Sequence, residues 1–335
     1  MENLHLDYET RSELNLPEVG LDRYCSHPST GVILGAFCFG DGPVTLWSPH
    51  LSSMPQELWG AFHNPKVKIY AWHSPFERLI TEFCLGITIP PNRFIDPNIN
   101  ARYISLPGYL DECGEILKIP QDKQKMAEGE RLKKMFCIPA KAGGQDTLFG
   151  ISKPIFRDHE TDPKDWELFG QYCIRDVEAE REIWKRMEKF RLLDEEWDTF
   201  YLDQMINDRG MYIDLDLVHA AIHLSEQIKT ELTEKLFRLT GLDNPNSRDQ
   251  MLEWCRSEGY TYHALSKNFV NQALAGKEIS DKCREALTIR QQAAKTSDTK
   301  YDAILREVSG DSRLRHQYRF MGAARTHRWA SGGSS

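Results

Sequence analysis

The chain of 335 residues contains no apolar run near the roughly 18 residues that a membrane-crossing helix needs. It opens on charged residues rather than on the basic and apolar segments of a signal peptide. Eight cysteines stand at 25, 38, 84, 113, 137, 173, 255 and 283, with no C-x-x-C pair among them. This scatter argues against a zinc ribbon and a disulfide framework, and reduced thiols in a cytoplasmic setting are expected. Internal repeats and low-complexity stretches are missing as well. Positive charge is in deficit: 42 Lys and Arg face 50 Asp and Glu, a net charge of −8. That balance argues against nonspecific nucleic-acid binding by the whole surface, yet leaves room for a local basic patch or a carboxylate-rich metal site. What is present is ordinary globular material, 40% hydrophobic and 27% charged, long enough for two domains of about 150 residues each.

The most informative stretch lies at the start. In Leu4-His5-Leu6-Asp7-Tyr8-Glu9-Thr10, apolar and polar residues alternate with the period of a strand. Residues two apart on a strand share a face, so Asp7 and Glu9 project together. Adjacent carboxylates repel, and their burial is costly without positive charge between them. A divalent cation held by oxygen ligands, Mg²⁺ or Mn²⁺, supplies it. The alternative is an acidic strand end facing water.

Further strands are expected at 31–39, 44–47, 67–72 and 94–96, with Asp41-Gly42 as a hairpin turn between the second and third. Helices are expected at 54–62 and 76–85. The polar segment 119–159 reads as a lobe or flexible loop. A long helix begins at Asp162-Pro163, with Asp162 as N-cap, and runs to about Phe190. Antiparallel strands followed by strands interleaved with helices give a mixed α/β sheet with helices on its faces. Beyond about residue 193, helical stretches dominate at 195–208, 215–239, 247–257, 266–274 and 280–308, with one short strand at 211–213. The expected domains are therefore 1–192 and 193–335. From Arg284 onward ten Lys and Arg face five Asp and Glu, which is either a solvated helix face or a surface that tracks phosphates.

Two later positions can join the first carboxylates. Glu77 sits in the first turn of the helix after the fourth strand, where open α/β sheets gather ligands. Tyr172 and Asp176 stand four apart, on one face of the long helix. In this order, strand D-x-E, a carboxylate opening a later helix, and Y-x-x-x-D resemble the three exonuclease motifs of the DEDD superfamily. Leu6 to Ser12, Tyr172 to Arg181, Leu202 to Asp214 and Arg313 to Trp329 further resemble phage-type family A DNA polymerases, so the resemblance covers essentially the whole chain.

The resemblance implies a ribonuclease H-like fold followed by a mainly α-helical, incomplete thumb-like domain. It also implies a proofreading 3′–5′ exonuclease using two Mg²⁺ or Mn²⁺ ions and releasing nucleoside 5′-monophosphates. Asp7, Glu9 and Asp176 would hold one ion, Asp7 and Glu77 the second, and Tyr172 would orient the attacking water. The implied partner is DNA, as a single-stranded 3′ end and as primer-template duplex. Thr10, His73 and Phe76 are expected against the strand, and Lys295, Lys300, Arg313, Arg315, Arg325 and Arg328 against phosphates. The implied setting is a phage or prophage in a bacterial cytoplasm.

Two departures stand out. His73 occupies a position that is usually Asn in the second motif, and Glu77 replaces Asp with one more methylene. The palm and fingers of such a polymerase would lie beyond Ser335, so polymerisation by this chain alone is not expected. A free-standing DEDD nuclease on RNA or DNA, and a nonenzymatic DNA-binding module with a degenerate site, are the competing readings.

Overall fold

The computed structural model describes residues 3–121, 128–140, 155–295, 299–323 and 325–331, with 294 and 295 described in backbone only. Strand β1 (Leu4–Arg11) is buried along almost its whole length, with only Asp7 and Arg11 partly open. An alternating strand buried on both faces must lie in the middle of a sheet. Strand β2 (Gly31–Phe39) pairs with it antiparallel, setting Asp7 opposite Ala36 and Glu9 opposite Leu34. The register shifts between Glu9 and Thr10, an irregularity of the kind that re-aims side chains at strand ends. Strand β3 (Thr45–Trp47) pairs antiparallel with β2, after the expected turn at Asp41-Gly42. Strand β4 (Ile69–Tyr70) runs parallel to β1, and β5 (Phe94–Ile95) runs parallel to β4. The order β3-β2-β1-β4-β5 is a five-stranded mixed sheet, the α/β, ribonuclease H-like arrangement that the resemblance implies.

In chain order the helices flanking this sheet are α1 (Leu16–Val19), α2 (Leu21–Ser26), α3 (Gln56–His63), α4 (Ser74–Leu85), α5 (Pro97–Tyr103) and α6 (Leu110–Ile116). Helices α7 (Gly129–Phe136), α8 (Pro163–Arg186) and α9 (Asp194–Arg209) follow. On one face, Leu4, Leu6 and Tyr8 pack with Leu58 and Phe62 of α3 and Leu79 and Ile80 of α4. On the other, Ile33, Ala36 and Cys38 pack with Leu132 and Phe136 of α7 and Phe169, Cys173 and Val177 of α8. The sheet is thus covered on both sides, and α8 lies against the face that carries Asp7.

The rest of the chain comprises strand β6 (Met211–Tyr212), helices α10 (Leu215–Thr240), α11 (Arg248–Ser257), α12 (Lys267–Ala275), α13 (Asp281–Lys295) and α14 (Thr299–Glu307), and strands β7 (Arg313–Leu314), β8 (Tyr318–Arg319) and β9 (Ala330–Ser331). Two compact units result, one running through Tyr212 and resuming at Arg306, the other spanning Ile213–Leu305. The second has its own core, with Leu236, Met251, Cys255, Tyr260 and Leu287 buried together.

This division differs from a single boundary near 193. Trp197 and Phe200 of α9 share a cluster with Ile99, Phe320 and Met321, and β6 pairs antiparallel with β7. The tail therefore returns to the first unit through contacts more than 100 residues apart in sequence. Two smaller expectations also shift: the polar stretch after β1 forms α1 and α2, and segment 119–159 contains α7, with 122–127 and 141–154 outside the described residues. The helix expected at 280–308 is described as α13 and α14, with 296–298 outside the described residues. Asp162 precedes α8 but makes no side-chain cap; it pairs with Arg157 at 3.6 Å. No helix among the described residues is long and apolar enough to cross a membrane.

Candidate active site

Asp7 and Glu9 leave β1 on the face covered by α8, and Asp176 of α8 meets them. One ligand atom from each of the three carboxylates lies within 4.8 Å of the others. The helix is held in register by residues on the same face. His5 Nδ1 and Glu180 Oε2 are 2.7 Å apart, and the Cys173 thiol donates to Asp7 Oδ2 at 3.7 Å. Positions 173, 176 and 180 recur at helical spacing, so the contacts that fix α8 also aim Asp176. Burial raises the Asp7 pKa well above the usual carboxylate range, and the charges of Asp176 and Glu9 raise it further.

Glu77 lies in the first turn of α4, buried, with Oε2 lacking a hydrogen-bond partner. Burial pushes its pKa up strongly, and the Asp7 carboxylate adds to the shift. Its placement depends on Asp96, which sequence reasoning passed over. The Asp96 carboxylate accepts from His73 N at 3.2 Å and Ser74 N at 2.8 Å at the start of α4, and from Asn98 N at 3.0 Å in α5. One buried side chain thus caps two helices, and burial lifts its pKa to about 6 despite these bonds. His73 itself is left-handed, with φ 66° and ψ 49°. Asn and His both tolerate that region better than most residues, so the exchange of one for the other keeps the turn.

Tyr172 is fully buried on α8. Its hydroxyl interacts with the Asp176 carboxylate, and burial followed by the Asp176 and Glu9 charges raises its pKa. Helix α7 covers its ring. A Cβ on Gly129 would fall 2.2 Å from Tyr172 Cε2, so only glycine permits this approach. One turn later, Lys133 Nζ sits 5.5 Å from the centroid of the same ring. Lys133 is a second residue that sequence reasoning missed, because it lies in a polar segment without clear periodicity.

The five expected catalytic side chains therefore converge, with Asp7, Glu9 and Asp176 as a tight trio, Glu77 beside Asp7 and Tyr172 beside Asp176. The expected DNA contacts fare unevenly. Thr10 is buried, its Oγ1 2.9 Å from the Tyr24 hydroxyl, and Phe76 packs partly into the core. Arg315 bonds Asp311 at 2.9 and 2.6 Å and the Asp208 carbonyl at 2.8 Å. Arg313 reaches the carbonyls of Arg209 and Gly210. These two arginines tie the tail to the end of α9, so their guanidinium groups are engaged within the chain. His73, Lys300, Arg325 and Arg328 are exposed, and the side chain of Lys295 lies outside the described residues.

No family model matches the sequence. A DNA polymerase of Bacillus phage SP02 is 35% identical over 334 residues, which is 98% of this chain and 50% of the relative. The chain is a relative of a phage DNA polymerase. It spans about half the length of that polymerase. Among solved structures, the polymerase domain of Pol1 from M. smegmatis, determined with DNA primer-template and dNTP, matches with a TM-score of 0.53. That match is 10% identical and covers 98% of this chain and 51% of the other, a likeness of fold.

Proposed function

We propose that the first unit is a metal-dependent 3′–5′ exonuclease of a family A DNA polymerase, and that the 213–305 unit begins its thumb. The observation that carries the reading is the convergence of Asp7, Glu9 and Asp176, with ligand atoms within 4.8 Å of one another and with Glu77 Oε2 lacking a hydrogen-bond partner beside Asp7. The donor set suits Mg²⁺ or Mn²⁺: every ligand is a carboxylate oxygen, and the mutual repulsion calls for cations between them. Asp7, Glu9 and Asp176 would hold one ion, and Asp7 with Glu77 a second. Bound there, such ions lower the pKa of a water and offset charge on the phosphate oxygens.

The protein's own groups set the geometry. Tyr172, hydrogen-bonded in the site and kept protonated, orients the attacking water at the edge of the trio. The water oxygen bonds to phosphorus, the bond to O3′ of the preceding nucleotide breaks, and that oxygen takes up a proton. A nucleoside 5′-monophosphate leaves. The partner is a DNA 3′ end, and the exposed Arg325 and Arg328 are candidates for backbone contacts.

The test uses 3′- and 5′-labelled single-stranded DNA with Mg²⁺, with Mn²⁺ and with chelator. Stepwise, metal-dependent shortening from the 3′ end is expected, and Asp7→Ala should abolish it while leaving the fold intact. Folded wild-type protein that shortens nothing, or an Asp7→Ala variant with near-normal cleavage, overturns the reading.

A further inference from the structure

We propose that Lys133 is a substrate-contacting residue of this site, its ammonium meeting a non-bridging oxygen of the scissile phosphate beside Tyr172; the inference rests on the exonuclease reading. Its position is built rather than incidental. Leu132 and Phe136, on either side of it in α7, are fully buried. Phe136 stacks on Phe169 of α8 at 5.4 Å and meets Trp166 edge-on at 5.1 Å. Arg131 bonds Asp165, in the first turn of α8, at 2.6 Å. Gly129 allows the helix to lie directly on the Tyr172 ring, and Lys133, one turn further along, then places Nζ 5.5 Å from that ring's centroid. The side chain keeps 35% of its surface open: its stem is packed, and Nζ lies over the Tyr172 ring and 3.6 Å from Glu130 Oε1 on the same helix.

The surrounding charges explain what it does there. Burial works against the ammonium, yet Glu9, Glu130, Asp176 and Asp7 together hold its pKa above the ordinary lysine value. It therefore enters the site as a cation. With Asp7, Glu9 and Asp176 committed to metal ions, their pull on Lys133 weakens, and the ammonium can leave the partly exposed Glu130 carboxylate for the DNA phosphate. A point charge on a flexible stem suits a phosphate oxygen that moves as the bond to phosphorus breaks. The competing role is structural: a cation that merely packs over Tyr172 and offsets the acidic cluster.

The experiment compares Lys133→Met, which keeps an unbranched stem over the ring, with Lys133→Arg and with Lys134→Ala, a neighbour whose side chain is exposed. Binding of a fluorescent oligothymidylate is measured over a range of salt with Ca²⁺ in place of Mg²⁺, and single-turnover cleavage is measured with Mg²⁺. Loss of one phosphate contact should lower the slope of log affinity against log salt by about 0.7 for a single strand. Lys133→Met is expected to slow cleavage about 100-fold, the scale for one lost donor to developing charge. Lys133→Arg should recover most of both, and Lys134→Ala should leave cleavage unchanged. If Lys133→Met changes thermal stability but neither slope nor rate, or if Lys134→Ala slows cleavage as much, the proposal fails while the exonuclease reading stands. Wild-type protein that does not shorten DNA removes both.

Discussion

Neutralising Asp7 without changing its shape should stabilise the protein in chelator and abolish its response to Mg²⁺. Ligand atoms of Asp7, Glu9 and Asp176 lie within 4.8 Å of one another. At that separation, two like charges repel by roughly 3.5 kcal/mol with an effective dielectric constant of about 20. Asp7 takes part in two of the three pairs, and the attraction of Lys133 opposes them. Part of the repulsion is already relieved by the raised Asp7 pKa, so about 1–3 kcal/mol remains recoverable at pH 8. At roughly 2–4 °C per kcal/mol for a domain of this size, Asp7→Asn should melt about 2–12 °C above wild type in chelator.

The pH dependence has a definite sign. A carboxyl whose folded pKa exceeds its unfolded one holds its proton longer in the fold. Stability then falls as pH rises from the unfolded value, near 4, through the folded one. Asp7 and Glu77 are both shifted this way, so wild-type Tm in chelator should decline from pH 5 to pH 8, and less steeply in Asp7→Asn. Mg²⁺ at 100 times its dissociation constant should restore about 2.7 kcal/mol to wild type and little to the variant. Differential scanning fluorimetry across pH, with and without Mg²⁺, reads all of this. An Asp7→Asn protein that melts below wild type at pH 8 in chelator would refute the reasoning.

Two further outcomes test the scaffold around the site. Gly129→Ala must push Tyr172 or α7 aside, because its Cβ would lie 2.2 Å from the ring; a loss of about 1–3 kcal/mol is expected by denaturant melting, with cleavage impaired more than DNA binding. Asp96→Ala strips three backbone N–H groups of their acceptor at the starts of α4 and α5, and about 2–3 kcal/mol should be lost, with weaker Mg²⁺ stabilisation as Glu77 loses its placement.

The sheet and the pairing of Asp7 with Glu9 were legible in the sequence from local periodicity, whereas Asp176 joined them through the resemblance to exonuclease motifs. Asp7 and Glu9 share a strand face, and Asp176 is aimed from a helix whose buried side shows at spacings of three and four. What escaped was set by contacts distant in sequence. Helix α7 is eight residues long, and its place follows from Gly129 meeting Tyr172 some 40 positions later. The return of the tail to α9 depends on Asn207 bonding the backbone of Tyr318 and on β6 pairing with β7. No local pattern encodes either. Arg313 and Arg315 show a related limit: a basic run looks the same in sequence whether it faces phosphates or, as within this chain, backbone carbonyls and Asp311.

The same geometry shows what holds the three carboxylates together against their mutual repulsion. Repulsion between Asp176 and the pair on β1 acts to lift α8 off the sheet. Opposing it, His5 and Glu180 close a 2.7 Å contact one turn along α8, and Cys173 bonds Asp7 from the preceding turn. Apolar packing of Phe169, Cys173 and Val177 against β2 spreads the load, since a packed core does not deform gradually. Lys133 adds positive charge from the open side. The carboxylates are therefore pressed together by the fold rather than drawn together by each other.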